Sequence, residues 1–124
     1  KSFNDNYGHI TGDKTLKRVA NAVRDAVRSI DVAARFGGEE FSVILPYTAK
    51  ENSYVIAERI RRNVEDIRFI ETKPLHGHQV SISIGIAEFP ADADNIEDII
   101  DKADKAMYLA KAGGKNRVVG YGQQ

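Results

Sequence analysis

Apolar residues recur at helical spacing in three stretches of the chain. Residues 13–30 carry them three and four positions apart, on one face of a helix: Leu16, Val19, Ala20, Val23, Val27 and Ile30. A second stripe of this kind crosses residues 50–67. A third crosses residues 96–111, including Ile96, Ile100 and Met107, and stops at the glycine pair 113–114. The sequence therefore predicts three amphipathic helices.

Shorter apolar runs predict the strands. Residues 32–36 and 41–45 flank the segment GGEE at 37–40, an arrangement typical of a β-hairpin. Residues 80–87 alternate between apolar and small or polar side chains, which is the period of a half-buried strand. A last strand is predicted within residues 116–121. The order helix–strand–strand–helix–strand–helix–strand indicates an α+β fold, with helices packed on a largely antiparallel sheet.

Composition narrows the class of protein. The chain has 124 residues, of which 42% are apolar and 29% charged, enough for one domain with one core. Its formal net charge is zero, so we expect no nucleic-acid partner and no general attraction to an anionic membrane. The absence of cysteine excludes disulfides and thiolate metal sites and fits a cytoplasmic location.

The chain starts at Lys1 without a methionine, and it holds no apolar run near the roughly 20 residues of a membrane-spanning helix. We therefore expect a single domain over residues 1–124 that is truncated at its N-terminus and cut from a longer protein.

The predicted hairpin tip places two glutamates side by side, although their like charges repel. Adjacent carboxylates at a turn can converge on a divalent cation, and Mg²⁺ is commonly held by one or two carboxylates together with substrate phosphates. The two preceding residues, Gly37 and Gly38, have no Cβ, so a ligand could come close to the backbone there. The alternative is a plain turn with two solvated glutamates.

Four motifs follow one another along the chain: FNDNYGHITGD (3–13), RSIDVAARFGGEEF (28–41), VSISIGIA (80–87) and ADKAMYLAKAGGKNR (103–117). Together they resemble the GGDEF domain of bacterial diguanylate cyclases, with Glu39 at the variable Asp/Glu position of the motif. The resemblance covers essentially the whole chain. It implies a fold similar to the palm of nucleotide cyclases and polymerases, and condensation of two GTP molecules into cyclic di-GMP and pyrophosphate.

The resemblance implies catalytic roles for the hairpin tip. Glu39 and Glu40 become metal ligands, and the carboxylate of Glu39 is the proposed base for the attacking 3′-hydroxyl. Two Mg²⁺ or Mn²⁺ ions in each active site would lower the pKa of that hydroxyl and stabilise charge on the phosphate. Relatives carry an Asp-x-Asp-x-Phe segment just before the position of Lys1. It holds a further metal ligand and the first, central strand, and we expect both to be missing from this chain.

Asn4 and Asp13 correspond to the guanine-recognition residues of the family. A carboxylate suits guanine because the N1–H and the 2-amino group lie side by side. The two residues would point apart on one continuous helix, so we expect Gly8 or Gly12 to bend the chain between them. The alternative is an Asn/Asp/Gly turn in which Asp13 caps the first helix.

Lys111 and Lys115, one helical turn apart, correspond to the triphosphate clamp of the family. The alternative is a pair of lysines that face the negative end of the helix dipole. Many relatives have arginine at the second position, so Lys115 replaces a planar fork with a point charge. Lys1, Gly37 and Gly38 complete the predicted substrate-binding set.

The RSID segment corresponds to the RxxD inhibitory site at which many family members bind their product. Arg28 would fork onto a phosphate or stack on guanine, and Asp31 would accept hydrogen bonds from the base edge. Arg59 corresponds to a further arginine that some members use there. The alternative is an ion pair at a helix end that contributes little.

Three functions compete. The first is an active cyclase, which needs a homodimer with twofold symmetry because the product is symmetric and each domain holds one GTP. It also implies an upstream sensory or dimerisation domain. The second is a catalytically silent module that binds cyclic di-GMP or GTP, against which the intact GGEEF signature argues. The third is a structural dimerisation element, which would need no guanine or phosphate ligands.

Overall fold

The computed structural model describes residues 9–37, 40–67 and 80–122, with side chains described from residue 16 onward apart from 35–37. These residues form helices and strands in the predicted order. The elements are α1 (His9–Ala26), β1 (Val32–Gly37), β2 (Glu40–Ile44), α2 (Lys50–Glu65), β3 (Ile84–Ile86), α3 (Ile96–Ala112) and β4 (Val118–Gly120).

The described strands form one antiparallel and one parallel pair. β1 and β2 make the predicted hairpin, in which Gly37 lies opposite Glu40. β3 and β4 pair in parallel, with Ile84 opposite Val118. Helices pack on these strands, which confirms the predicted α+β class. One of the two strand pairs in the described part of the chain is parallel, however, because α3 crosses over between β3 and β4.

The core lies between α1 and α2. Val23 of α1 and Val64 of α2 are the largest fully buried side chains. Around them lie further buried residues of both helices and of the segment before β3: Val19, Ala26, Ile56, Ile60, Val80 and Ile82. Phe41 and Val43 of β2 pack against this cluster. Burial of one such side chain contributes about 1.5–3 kcal/mol, so the cluster holds both helices and the hairpin together.

Helix α1 ends at Ala26, although the apolar pattern predicts a helix as far as Ile30. The carboxylate of Asp31 accepts a hydrogen bond of 2.6 Å from the backbone amide of Arg28, and the amide of Asp31 donates to the carbonyl of Arg28 at 3.0 Å. A side chain that bonds the backbone in this way competes with helix formation. Ile30 consequently lies outside the core and is 56% exposed.

Helix α1 begins at His9, so Asp13 lies in its second turn. The alternative in which Asp13 caps the helix is therefore wrong. Gly12, where a bend was expected, lies inside the same helix, since one interior glycine costs a helix only about 1 kcal/mol. Gly8 lies outside the described residues.

The strand predicted over residues 80–87 is shorter in the structure, where β3 spans Ile84–Ile86. Its partner β4 has only three residues. Within residues 80–87, therefore, only Ile84–Ile86 pair with another described strand. The predicted alternation is only partly confirmed: Val80, Ile82 and Ile86 are buried, but Ser83 is buried as well and Ile84 is only half-buried.

Helix α3 packs directly on β3 at Gly85. A Cβ at this position would lie 2.2 Å from the carbonyl oxygen of Ala103 and 2.3 Å from the amide nitrogen of Met107. The buried residues of α3 are the small Ala106 and Ala110. Helix and strand backbones can approach each other closely only because these three positions carry little or no side chain.

The predicted apolar face of α3 is only partly correct. Ile96 and Ile100 fit its helical spacing but are 76% and 45% exposed. The close approach at Gly85 turns the alanine side of the helix toward the strands, so Ile96 and Ile100 face outward, while Ile99 is half-buried. Asn95 starts the helix by accepting a hydrogen bond of 2.8 Å from the amide of Asp98.

A largely buried ion pair joins the start of α2 to the loop before α3. The ammonium of Lys50 lies 2.6 Å from the Asp92 carboxylate and donates to the carbonyl of Tyr121 at 2.9 Å. Asp92 also accepts from the amide of Glu88 at 2.8 Å. The ammonium of Lys102 donates to the Asp92 carbonyl at 3.3 Å and lies 5.2 Å from the centre of the Tyr121 ring. The start of α2, the loop before α3 and the chain after β4 therefore meet at Asp92.

We expect Gly85→Ala to lower the free energy of unfolding by about 3 kcal/mol, because the added methyl overlaps the backbone of α3. Urea denaturation measures the change. Gly122→Ala is the matched control: its Cβ would meet nothing within 4 Å, and its φ of +84° costs about 1 kcal/mol. Equal losses for the two variants would contradict the close packing of α3 on β3.

We expect Asp92 to make the fold sensitive to acid. Burial opposes its charge, yet the hydrogen bonds from Lys50 and the Glu88 amide, with the charges of Lys50 and Lys102, outweigh burial and hold its pKa below the ordinary value. A carboxyl with a lowered pKa stabilises the fold above its unfolded pKa, and this stabilisation is lost as pH falls through the folded pKa.

Asp92→Asn should therefore cost about 2 kcal/mol at pH 7 and reduce the loss of stability between pH 7 and acid. Urea titrations at several pH values measure both effects. Asp101→Asn is the control, because the ion pair of Asp101 with Lys105 is exposed and contributes little. A pH dependence unchanged in Asp92→Asn would show that this carboxylate is not the acid-sensitive group.

Candidate functional site

Glu40 lies at the tip of the hairpin, where β2 begins. The register between β1 and β2 is irregular between Arg35 and Gly37, and Gly37 is the last residue of β1 to face β2. Along β2, Phe41 and Val43 pack against the core while Glu40 is exposed. The strand alternation thus presents one carboxylate of the GGEEF motif at the surface.

An exposed carboxylate is the type of ligand that Mg²⁺ prefers, so the donor chemistry of Glu40 fits a divalent cation. Glu39 and Gly38 lie outside the described residues, and the predicted pairing of Glu39 with Glu40 stays a prediction. Residues 9–37, 40–67 and 80–122 by themselves contain no group of three His, Asp or Glu side chains that could hold a metal ion. No helix within these ranges is long and apolar enough to cross a membrane.

The predicted substrate residues are placed only in part. Lys1 and Asn4 lie outside the described residues, and Asp13 is placed by its backbone on α1. Lys111 is half-buried in the last turn of α3, and Lys115 is exposed. The described structure therefore locates the predicted phosphate-binding lysines, whereas Asn4 and the side chain of Asp13 lie outside what it describes.

Lys115 is not one helical turn beyond Lys111, because α3 ends between them at Ala112. The amide of Gly114 donates to the carbonyl of Lys111 at 3.3 Å, and the amide of Lys115 donates to that of Ala110 at 3.0 Å. These bonds close the helix with a tight turn. The spacing of the two lysines is therefore set by this turn rather than by helical geometry.

A polar network joins this turn to α2. The side-chain oxygen of Asn116 accepts from Arg61 at 3.0 Å, and its amide group donates to Glu65 at 2.6 Å. Arg61 also donates to both carboxylate oxygens of Glu58, at 2.9 and 2.6 Å. No sequence pattern indicates these contacts, since Asn116 lies more than 50 positions from both partners on α2.

Arg28 and Asp31 form a two-pronged ion pair. The Nε and Nη2 groups of Arg28 donate to the carboxylate at 3.0 and 2.8 Å. The Asp31 side chain is 0% exposed, whereas that of Arg28 is 41% exposed. The hydrogen bond from the guanidinium holds the pKa of Asp31 below its ordinary value, and the same bond raises the pKa of Arg28. The pair is thus charged, with the guanidinium on the outside.

The turn after β2 also accepts hydrogen bonds from the Arg28 guanidinium. Nη2 of Arg28 donates to the hydroxyl of Thr48 at 2.5 Å and to the carbonyl of Pro46 at 3.3 Å. The Thr48 hydroxyl in turn donates to the Pro46 carbonyl at 2.8 Å. Thr48 could not be identified from the sequence, because no motif marks a lone threonine 20 positions from Arg28. Nη1 of Arg28 makes no hydrogen bond within the part of the chain that the structure describes.

Arg59 lies beside this pair without joining it. Its Nη1 donates to the carbonyl of Ala26 at 3.2 Å, at the end of α1 and two positions before Arg28. The predicted third residue is therefore brought to the segment that carries the RSID motif. A groove of about 1050 Å³ along α2 contains Arg59 and three further arginines in its lining: Arg61, Arg62 and Arg117.

Comparison with known proteins assigns the chain to a family. A family model described as "Diguanylate cyclase, GGDEF domain" matches residues 1–117. Diguanylate cyclase A of Treponema denticola is 41% identical over 119 residues, which cover 95% of this chain and 31% of that protein. The chain thus spans about a third of the length of this curated relative.

Two solved structures share the fold. The GGDEF domain of DgcB from Caulobacter crescentus, in complex with c-di-GMP, has a TM-score of 0.82 at 33% identity and covers 97% of this chain and 70% of that one. The active GGEEF domain of a diguanylate cyclase from Vibrio cholerae has a TM-score of 0.80 at 28% identity, covering 99% and 76%. These findings confirm the family that the motifs predict: the chain belongs to the GGDEF domain family of diguanylate cyclases.

Proposed function

We propose that this chain is the catalytic domain of a diguanylate cyclase that is inhibited by its product at Arg28 and Asp31. Two GTP molecules would give one cyclic di-GMP and two pyrophosphates. The observation that carries the proposal is the family match over residues 1–117, together with an unbroken GGEEF signature at the tip of a formed hairpin. A relative of known structure with the same GGEEF signature is described as active.

In the proposed reaction, the 3′-hydroxyl of each GTP attacks the α-phosphate of the other. A bond forms between the 3′-oxygen and that phosphorus, the bond to the β-phosphate oxygen breaks, and the hydroxyl proton passes to Glu39. Lys111 and Lys115 offset the charge of the triphosphate, while Asn4 and Asp13 hold the guanine. Such positioning and charge compensation account for most of the rate in phosphoryl transfer.

Glu39 and Glu40 would hold the divalent cations, Mg²⁺ or Mn²⁺. Such an ion neutralises phosphate charge and favours ionisation of the attacking hydroxyl. The exposed position of Glu40 supports this assignment, because a ligand shared with phosphates must be reachable from solvent.

A homodimer is required by the product. Each proposed site holds one GTP, and both new bonds of the cyclic dinucleotide are equivalent, so two domains must face each other across a twofold axis. The relative from Treponema is about three times longer than this chain. This length supports the proposal that an upstream sensory or dimerisation domain brings two copies together in the parent protein.

Arg28 is a residue of the proposed inhibitory site that product can reach from solvent. Its side chain is 41% exposed, and its Nη1 makes no hydrogen bond to the described residues, so it can donate to a phosphate or to guanine. Asp31 is buried beneath it and accepts from Arg28 with both oxygens. In this arrangement Asp31 orients the arginine, and direct contact with the base would require the pair to rearrange.

A catalytically silent binding module is the second candidate. The ion pair of Arg28 and Asp31 and its support from Thr48 are independent of the hairpin tip. A domain with this arrangement can bind cyclic di-GMP whether or not it makes it. The activity measurement below separates the two functions.

We expect the protein that carries this domain to form cyclic di-GMP from GTP and Mg²⁺, measured by chromatography. Glu40→Gln should slow formation on the order of 100-fold, because the neutral amide is a weaker cation ligand. Glu97→Gln is the matched control, since Glu97 is an exposed carboxylate on α3 far from the motif in sequence. Absence of product from the wild type at high protein concentration would refute the enzyme and leave the binding module.

We expect Arg28→Ala to weaken cyclic di-GMP binding roughly 30-fold, which is about 2 kcal/mol for a lost hydrogen bond to a charged group. Arg28→Lys should restore little, because an ammonium cannot replace the fork that Asp31 orients. Titration calorimetry measures both variants. Arg24→Ala removes a nearby arginine that bonds only Asn21 in the described chain and should bind normally. Wild-type affinity in Arg28→Ala would rule out the inhibitory site.

A further inference from the structure

Three successive residues after α3 have left-handed backbones. Their φ angles are 123° at Gly114, 65° at Lys115 and 49° at Asn116. Glycine adopts this region freely, whereas other residues pay on the order of 1–2 kcal/mol. Asparagine tolerates it better than most, but lysine does not. Two adjacent non-glycine residues in this region persist only where surrounding contacts hold them.

Asn116 supplies one such contact. Both ends of its side-chain amide are engaged by α2: Arg61 donates to the oxygen at 3.0 Å, and Glu65 accepts from the nitrogen at 2.6 Å. Arg61 is itself fixed by its double hydrogen bond to Glu58, and its side chain is only 15% exposed. The turn is therefore fastened to a helix whose opposite face lies in the core.

Arg117 fastens the same turn from the other side. Its Nε donates to the carbonyl of Lys115 at 3.1 Å, and its guanidinium covers the glycine turn, where a Cβ on Gly114 would lie 2.6 Å from Nη2. The carbonyl of Arg117 accepts from the amide of Ile84, which joins the turn to β3. The backbone of Lys115 is thus held between α2 and the sheet.

We infer that Asn116 is a positioning residue for Lys115, and through it for the triphosphate of a bound purine nucleotide. The inference rests on the proposed role of Lys115 as a phosphate ligand. A lysine ammonium stands on four rotatable bonds, so its reach is defined only if its Cα is fixed. The hydrogen bonds of Asn116 fix that Cα in a conformation that lysine does not favour, and Glu65 and Arg61 hold Asn116.

The experiment compares the affinities for GTP and GMP, with Mg²⁺, on the same protein by titration calorimetry. The two ligands share the base and differ in the phosphates that Lys115 would contact. Lys115→Ala shows how much the Lys115 ammonium contributes to GTP affinity relative to GMP affinity. Asn116→Gly keeps a residue that accepts the left-handed backbone but removes the link to α2. We expect it to weaken GTP binding roughly tenfold and to change GMP binding less than about twofold.

A double variant tests whether Asn116 acts through Lys115. If it does, Lys115→Ala with Asn116→Gly should bind GTP no more weakly than Lys115→Ala alone, because the effects of coupled residues do not add. Lys105→Ala is the matched control for charge, since Lys105 is a 62% exposed lysine on the same helix. It should leave the ratio of GTP to GMP affinity unchanged.

If Asn116→Gly fails to fold, the variants Glu65→Gln and Glu65→Ala test the same link between Asn116 and α2. Glutamine retains an oxygen that can accept from Asn116, and alanine does not. We therefore expect Glu65→Ala to lower the ratio of GTP to GMP affinity and Glu65→Gln to keep it close to the wild-type value.

The failures are distinguishable. If Lys115→Ala lowers the ratio but Asn116→Gly and Glu65→Ala do not, the positioning role is wrong and the proposed clamp stands. If Asn116→Gly weakens GTP and GMP equally, Asn116 is merely structural and the inference is overturned. If Lys115→Ala itself leaves the ratio unchanged, the proposed phosphate clamp is wrong, and the positioning role is lost with it.

Discussion

Helix α2 buries Ile60 and Val64 against Val23 of α1, and this contact fixes the direction of every other side chain on α2. From its polar faces, Arg59 reaches the end of α1 beside the RSID segment, and Arg61 reaches the turn after α3. The two regions lie at opposite ends of the sequence. Their relative position is fixed because a single helix, packed into the core, contacts both.

Each of these regions uses an arginine whose geometry is set by a carboxylate. Asp31 orients Arg28, and Glu58 orients Arg61, in both cases through two hydrogen bonds. Ion pairs at a protein surface contribute little to stability. Their effect here is directional, because a guanidinium held in plane presents its remaining N–H groups at fixed angles. Arg61 donates to Asn116 in this way, and Nη1 of Arg28 makes no hydrogen bond to the described residues.

The periodicity of apolar residues was enough to predict the helices, the hairpin and the burial of Val80, Ile82 and Ile86, but not that of Ser83. It could not predict that α1 ends at Ala26, because this depends on one hydrogen bond from the Arg28 amide to Asp31. It also assigned Ile96 to the buried side of α3, because helical spacing does not show that Gly85 draws the helix close. Local pattern predicts elements, while single long-range contacts decide their ends and orientation.

In the candidate site, too, local motifs indicate some residues, whereas long-range contacts determine others. The motifs singled out the charged residues, and the structure places Glu40 on β2, Lys111 on α3, and Arg28 and Lys115 in turns outside the helices and strands. The uncharged Thr48 and Asn116 make hydrogen bonds to Arg28 and Arg61, which are distant in sequence, so no local pattern marks them.

The exposure of Glu40 is itself a product of the core. Phe41 and Val43 pack against the α1–α2 cluster, so the alternation of β2 must turn Glu40 outward. A slip of one residue in the hairpin register would bury the carboxylate and expose the aromatic ring. The irregular register between Arg35 and Gly37 lies next to this tip. The exposure of Glu40 is therefore determined by the phase of a strand whose other face packs against the core.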